Sequence, residues 1–211
     1  METFGGRQDN FYSDNVFFDA YNSSPESYSL ITNYSKEKET AAYKKYSNKQ
    51  GFVDETGKTV IPFQWTDVEP FSEGLAAVRD TNYKYGYIDK TGKVVIPCNF
   101  KWAHSFNEGL AAVVDTNGRW GCIDKTGKIV IPGMWKYVFD FSEGLAAVLD
   151  FNNKFGYIDK KGIIVIPCQW TCSYPFSEGL ALQKDTNGRY GFIDKKGKMA
   201  LHSEWLNGDI S

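Results

Sequence analysis

Residues 86–97 read GYIDKTGKVVIP, and every part of this segment suits a β-hairpin. Tyr87 and Ile88 are aromatic and β-branched, which favours a pleated, half-buried strand. Asp89 and Gly92 stand at the first and fourth positions of a short turn, where Asp bonds the backbone and Gly accepts a positive φ. A second β-branched run follows and ends at a proline, which cannot donate to a sheet. The segment therefore predicts two antiparallel strands joined by a tight turn.

The hairpin recurs along the chain at a constant interval, since Gly86 follows Gly51 by 35 residues and no insertion interrupts the series. The opening glycines are Gly51, Gly86, Gly121, Gly156 and Gly191. The turn aspartates are Asp54, Asp89, Asp124, Asp159 and Asp194. An unbroken interval predicts that each unit makes the same contact with its neighbour.

Each unit holds a third predicted strand. Residues 73–78 read EGLAAV, with small and large apolar residues alternating, and the motif returns from Glu108, Glu143 and Glu178. A second turn, which reads DTNG at residues 115–118, leads from this strand into the next hairpin. The unit is therefore predicted to be a three-stranded antiparallel β-meander followed by a longer crossover, and the fold class to be all-β.

The extent of the repeats defines the predicted domains. Residues 1–35 lie outside the repeats and form a short N-terminal segment, either a cap or a docking segment. Residues 36–211 form the β-repeat domain, with a degenerate first unit, four full units and a degenerate last unit. Because the two end units do not obviously complete one another, we favour an open, solenoid-like array, with a propeller-like ring as the alternative.

Composition narrows the classes of partner. The 24 basic and 26 acidic residues give a net charge of −2, which argues against a dedicated nucleic-acid surface. No run approaches the roughly 18 apolar residues of a membrane span, so we expect no membrane insertion. No signal-peptide pattern is visible, and we expect a cytoplasmic protein, with secretion by another route left open.

The sequence offers no set of residues for catalysis. The four cysteines form no CxxC pair, and the histidines His104 and His202 lie in different units. Neither a zinc site nor a nucleophile with a histidine base is predicted. Carboxylates copied by the repeat have like environments, whereas acid–base catalysis needs unlike ones. We therefore expect no catalytic residue, no metal and no cofactor, and a protein that is not an enzyme.

Two sets of residues are candidates for binding. Basic residues that differ between units mark a predicted face for a protein partner. These residues are Arg79, Lys101, Lys136 and Lys184. The aromatic residues that precede the opening glycines form a predicted row on which a sugar ring could stack. This row is Tyr85, Trp120, Phe155 and Tyr190. The first set favours a protein-interaction scaffold, and the second favours a glycan partner and a carbohydrate or cell-wall binding module.

Taken together, the motifs resemble the WG-repeat family, which is found mostly in bacteria. The family pattern has an aromatic-Gly pair, a Tyr-Ile-Asp-Lys-x-Gly-Lys hairpin, an Ile-Pro and a Phe-Ser-Glu-Gly-Leu-Ala. The pair is Trp120-Gly121 in one unit, and Phe-Ser-Glu-Gly-Leu is literal from Phe71, Phe141 and Phe176. The resemblance covers residues 39–205 and implies an all-β repeat, no catalytic residues to assign and a role in molecular interactions.

Overall fold

The chain divides into two units, Met1–Lys38 and Glu39–Ser211. The computed structural model describes residues 42–46 and 49–202, all in the second unit, so the cap or docking segment predicted at residues 1–35 lies outside the described residues. Every regular element in the described part is a β-strand, which confirms the all-β class. No helix long and apolar enough to cross a membrane occurs there.

The strands form five antiparallel sheets, which follow one another along the chain. The first sheet contains β1 (Ala42–Tyr46), β2 (Lys49–Val53) and β3 (Thr59–Trp65). The second contains β4 (Asp67–Val68), β5 (Leu75–Arg79), β6 (Tyr85–Asp89) and β7 (Val94–Phe100). The third contains β8 (Trp102–Ala103), β9 (Leu110–Val114), β10 (Trp120–Asp124) and β11 (Ile129–Trp135). The fourth contains β12 (Tyr137–Val138), β13 (Leu145–Leu149), β14 (Phe155–Asp159) and β15 (Ile164–Trp170). The fifth contains β16 (Cys172–Ser173), β17 (Leu180–Lys184), β18 (Tyr190–Asp194) and β19 (Met199–His202).

The predicted three-stranded meander is present in each unit, and each sheet after the first gains a short fourth strand. In the second sheet this strand is β4, which has only two residues and pairs Asp67 with Arg79 and Val68 with Val78. A single residue separates β3 from β4, so the chain passes to the next sheet almost at once. Among the described residues no strand of the first sheet pairs with the fifth, and the array is open, as the sequence predicts.

The turn of each hairpin has the predicted hydrogen bonds. The Gly92 N–H donates to the Asp89 carbonyl at 2.9 Å. The carboxylate oxygen Oδ1 of Asp89 accepts from the Thr91 hydroxyl at 2.6 Å and from the backbone N–H groups of Thr91 and Lys93 at 2.9 and 3.1 Å. The hydroxyl bond, aided by these N–H groups, lowers the pKa of Asp89. The aspartate is therefore a turn-forming residue.

Gly86 shows why each hairpin opens with glycine. The β6–β7 pairing changes register between Tyr85 and Tyr87, and the two backbones come close together there. A Cβ on residue 86 would lie 2.5 Å from the carbonyl oxygen of Ile96, closer than side-chain carbons approach a backbone oxygen. A Cβ on Gly51, Gly121 or Gly156 would clash in the same way with the carbonyl oxygen of the equivalent isoleucine. The close approach of two strands therefore dictates glycine at this position.

Successive sheets pack through the isoleucine of each Ile-Pro pair. Ile61 is buried, and a Cβ on Gly92 of the next sheet would lie 3.1 Å from its Cγ2 atom. The same pairing recurs between each sheet and the next. The further pairs are Ile96 with Gly127, Ile131 with Gly162 and Ile166 with Gly197. One contact, copied along the array, therefore joins the sheets, as the constant interval predicts.

Candidate interaction surface

The four basic residues predicted from the sequence lie along one edge of their sheets, the edge that is formed by the ends of strands. Arg79 and Lys184 are the last residues of β5 and β17, whereas Lys101 and Lys136 directly follow β7 and β11. The two kinds of position adjoin each other, because the Lys101 N–H donates to the carbonyl of Val114, the repeat equivalent of Arg79, at 3.0 Å. Lys101 and Lys136 are exposed, and Arg79 and Lys184 are half-buried.

Further cations stand at the same edge, at the end of the turn that leads into the hairpin of each unit. We call the whole set the basic edge. It consists of Lys49, Arg79, Lys84, Lys101, Arg119, Lys136, Lys154, Lys184 and Arg189. The carboxylates of these turns already accept backbone hydrogen bonds, as Asp80 Oδ1 does from Asn82 N and Lys84 N at 2.8 and 2.9 Å. Cations outnumber the carboxylates of these turns, and one pair is neutralised directly, since Arg189 lies 2.8 Å from Asp185.

Aromatic rings and one cation are concentrated around Arg79. Its guanidinium carbon lies 5.6 Å from the ring centres of both Tyr83 and Tyr85. The Tyr85 ring centre lies 5.1 Å from that of Trp102, in the next sheet. Tyr83 is 70% exposed and Trp102 is 45% exposed. In these four residues, which we call the Arg79 cluster, the cation lies between the exposed Tyr83 and the buried Tyr85, and Tyr85 in turn contacts the exposed Trp102 of the next sheet.

Tyr83 occupies a position that is unfavourable for tyrosine. Its φ is 59°, in the left-handed region. The equivalent residues in the next three units are Gly118, Asn153 and Gly188, which adopt this conformation more easily. The left-handed region costs a bulky residue about 1–2 kcal/mol. The ring is mostly exposed, so burial in the core does not compensate for this cost.

A second cation–ring pair joins the third and fourth sheets at the same edge. The guanidinium carbon of Arg119 lies 5.9 Å from the ring centre of Phe151, which is exposed. The equivalent turn positions in three other units hold threonine. Tyr83, Trp102 and Phe151 were therefore missed by the sequence analysis, although each departs from its repeat equivalents. Aligning the units position by position and listing such departures would have found them.

The predicted aromatic row lies mainly inside the array. Tyr85, Trp120 and Phe155 are buried, and Tyr190 is half-buried with Lys184 Nζ 5.1 Å from its ring centre. The Tyr85 hydroxyl donates to Asp67 Oδ2 at 2.8 Å, and burial together with this carboxylate raises the pKa of Tyr85. A sugar could not stack on the three buried rings without opening the core.

The structure also brings together ionisable groups from different units. His104 Nδ1 lies 3.0 Å from Asp140 Oδ1, and His104 Nε2 lies 3.1 Å from the Tyr137 hydroxyl. Burial and the nearby carboxylates of Asp67 and Asp140 raise the pKa of Glu69, although His104 opposes them. No three His, Cys, Asp or Glu side chains in the described part are arranged to hold a metal ion. The two contacts of His104, with Asp140 and with Tyr137, join the third sheet to the fourth.

The four cysteines are free thiols that pack in or beside the core. Burial raises the pKa of Cys98 to about 11 and the pKa of Cys122 to about 12. The thiolate is the nucleophilic form of cysteine, so these environments oppose nucleophilic use of both thiols. We assign them to packing.

Comparison with protein families matches the model described as WG containing repeat to residues 51–85, 85–119, 120–155 and 155–184. A search of curated proteins finds no match. Among solved structures, the computationally designed Ika8 protein shares 12% identity with a TM-score of 0.48, over 72% of this chain and 55% of that chain. BamB from Moraxella catarrhalis shares 11% identity with a TM-score of 0.44, over 73% of this chain and 54% of that chain. This chain thus spans little more than half the length of either structure.

Proposed function

The chain belongs to the WG containing repeat family, and from its surface we propose that it is a non-enzymatic scaffold that binds a protein partner through the basic edge. The Arg79 cluster is the observation that carries the proposal. It combines an exposed tyrosine in a strained conformation, an arginine against its ring, and an exposed tryptophan that is joined to them through the buried Tyr85. Neither exposed ring is explained by the core, whereas Tyr, Trp and Arg dominate the binding energy of protein interfaces.

The chemistry of the edge defines the kind of partner that we propose. A large aromatic side chain buries roughly 150–250 Å² when it is covered, so Tyr83 and Trp102 offer substantial apolar anchors. The cations along the edge favour carboxylates on the partner and speed its approach. We therefore propose an acidic segment that places an apolar side chain against the two rings. Its affinity should fall as salt is added, because the exposed cations are then screened.

Carbohydrate binding is the second candidate, and the exposed Trp102 indole supports it. An exposed indole face offers a flat apolar platform on which a sugar ring can stack. The aromatic row predicted for this purpose gives little support, because Tyr85, Trp120 and Phe155 are buried. We therefore rank the protein partner first.

Replacing Tyr83 by glycine tests the proposal and separates binding from folding. The substitution restores the residue type found at Gly118 and Gly188, so we expect the free energy of unfolding to rise by about 1 kcal/mol. Removing the ring should weaken partner binding at least tenfold, the equivalent of about 1.4 kcal/mol. Val95→Thr is the matched control, because Val95 is an exposed residue of β7 away from the basic edge.

The measurement begins with affinity capture from a cell lysate on immobilised wild-type chain, Tyr83→Gly and Val95→Thr, with quantitative mass spectrometry. A captured protein is then purified and titrated calorimetrically against all three forms. We expect a partner that binds wild type and Val95→Thr equally and loses affinity for Tyr83→Gly. A partner that binds all three forms with one affinity would exclude the Arg79 cluster as its site. Binding of glycans on an array, with no protein captured, would favour the second candidate.

A further inference from the structure

Three consecutive sheets each present one exposed aromatic ring at the basic edge. Tyr83 lies in the turn before β6 of the second sheet, Trp102 begins β8 of the third, and Phe151 lies in the turn before β14 of the fourth. Phe151 is 60% exposed, close to the 70% of Tyr83. We call Tyr83, Trp102 and Phe151 the ring series. Its members come from different sheets, so a ligand that contacts all three must cross from sheet to sheet.

Contacts between rings and cations carry the ring series across both joints between these sheets. The ring centre of Trp102 lies 5.1 Å from that of Tyr85, and the guanidinium carbon of Arg79 lies 5.6 Å from the Tyr85 ring centre, so the second sheet meets the third. The guanidinium carbon of Arg119 lies 5.9 Å from the ring centre of Phe151, so the third sheet meets the fourth. Rings and cations therefore follow one another along the edge from the second sheet to the fourth.

Lysines flank the ring series as well. Lys101 directly precedes Trp102, and Lys136 Nζ donates to Asn153 Oδ1 in the turn that holds Phe151. Both lysines are exposed. A ligand laid across the rings would therefore meet ammonium groups beside two of them, and these groups favour carboxylates on the ligand.

The ring series ends at the fourth sheet. In the fifth sheet, Thr186 and Gly188 occupy the turn positions at which the fourth and second sheets hold their rings. The cation of that turn, Arg189, pairs with Asp185 of the same turn at 2.8 Å. The fifth sheet therefore lacks a turn ring, and the surface that the ring series offers to a ligand spans three sheets.

The number of sheets sets the length of peptide that the ring series can hold. Tyr83 and Phe151 lie in equivalent turns two sheets apart. Packed sheets lie roughly 10 Å apart, so the two rings are about 20 Å apart. An extended chain advances about 3.3 Å per residue, so about six residues separate the side chains that contact the two rings.

We propose that the partner's acidic segment lies extended across the second, third and fourth sheets, with one apolar side chain against Tyr83 and Trp102 and a second, about six residues away, against Phe151. The inference rests on the function proposed for the basic edge and adds a second anchor and a spacing to it. Charge complementarity supports this occupant, because acidic residues between the two anchors would face Lys101 and Arg119. Single-stranded nucleic acid also binds cations and aromatic rings, so it is one outcome of the test.

Three synthetic peptides test the spacing and the charge. The peptide WEESEEW places its tryptophans six residues apart, WESWEEE has the same composition with the tryptophans three residues apart, and WQQSQQW keeps the longer spacing without charge. Each peptide is titrated calorimetrically into the wild-type chain at low salt, at concentrations up to about 1 mM, a range that detects weak complexes. WEESEEW should bind at least tenfold more tightly than either of the other two.

Phe151→Thr tests the second anchor in a way that the fold should tolerate. Threonine stands at the three equivalent turn positions, Thr81, Thr116 and Thr186. The substitution should weaken WEESEEW binding at least tenfold and abolish its advantage over WESWEEE. Ile164→Thr is the matched control, because Ile164 is an exposed residue of the same sheet at the hairpin end of β15, and it should leave binding unchanged. Circular dichroism establishes that each variant is folded, and if Phe151→Thr is not, the comparison of the peptides on wild type decides.

The outcomes separate this inference from the proposed function. If Tyr83→Gly weakens WEESEEW binding and Phe151→Thr does not, the extended segment is refuted while the Arg79 cluster remains the site. Binding that neither substitution changes would contradict both. Equal affinity for WEESEEW and WESWEEE, or for WEESEEW and WQQSQQW, overturns the inference, as does the absence of any peptide binding. Tighter binding of a ten-nucleotide oligothymidylate than of WEESEEW would assign the ring series to nucleic acid and overturn it as well.

Discussion

Replacing Gly121 by alanine should be among the most damaging small changes in the array. A Cβ at this position would lie 2.4 Å from the carbonyl oxygen of Ile131, 2.8 Å from the carbonyl carbon of Pro132 and 2.9 Å from the nitrogen of Gly133. All three atoms belong to the backbone of β11, so no side-chain rotation relieves the contact. Strand β11 must move away from β10, or the hairpin must open.

The expected cost follows from what that movement breaks. Carbon and oxygen pack at about 3.3–3.6 Å, so the strands must separate by roughly 1 Å. Residues 120 and 122 of β10 pair with residues 135 and 131 of β11 next to the contact. Weakening about two backbone hydrogen bonds costs about 1 kcal/mol each. Buried Ile131 and Trp135 lose part of their packing as well. The total is about 3–4 kcal/mol, in the upper range for single substitutions.

Gly118→Ala is the control, because it changes a glycine of the neighbouring turn for a different reason. Gly118 has a φ of 81°, and a Cβ there would meet no atom within 4 Å. Its cost is therefore the conformational penalty alone, about 1–2 kcal/mol. Urea unfolding followed by tryptophan fluorescence and by far-ultraviolet circular dichroism gives both values, and agreement of the two probes tests for a single cooperative transition. The steric explanation is refuted if Gly121→Ala costs no more than Gly118→Ala.

Two further predictions concern contacts between sheets. The hydrogen bond from Lys195 lowers the pKa of Glu143 in the folded state, so the stabilising effect of this carboxylate is present above the ordinary glutamate value of 4.5 and is lost as the pH falls through the folded value. Glu143→Gln should therefore lower the melting temperature at neutral pH and reduce its fall on acidification, and an unchanged pH profile would contradict this. Tyr137→Phe removes the hydroxyl beside His104 Nε2 and should cost about 0.5–1.5 kcal/mol. His104→Ala should cost more in thermal unfolding, because it also loses Asp140 and the ring contact with Trp120, and equal costs would exclude this network.

Local chemistry allowed the hairpins to be predicted from the sequence. The turn from Asp89 to Gly92 and the β-branched run after it are signals contained within a dozen residues. The strand β4 could not be predicted, because its two residues, Asp67 and Val68, are too few to show an alternating pattern. It forms because the crossover passes close enough to β5 for pairing.

The candidate site was only partly predictable, since its residues come together across sheets. The constant interval placed Arg79, Lys101, Lys136 and Lys184 in related positions, and the structure puts them at one edge. The constant repeat interval does not show which face of a strand packs against the neighbouring sheet. From the sequence, the aromatic row could therefore be either core residues or a surface on which a sugar stacks, and only the burial of Tyr85, Trp120 and Phe155 distinguishes the two. The contact of His104 with Asp140 required the geometry of two adjacent sheets.

A residue that differs from its equivalents in the other units indicates a function only when the fold itself does not explain the difference. Gln183 replaces a valine of the other units and is fully buried, but its amide accepts from the Ser173 hydroxyl and donates to the Tyr157 hydroxyl. Because the polar atoms are satisfied inside the array, this departure is explained by folding. Tyr83, by contrast, strains its backbone with its ring exposed. Folding gives no account of this departure, which is why we assign it to a partner at the basic edge.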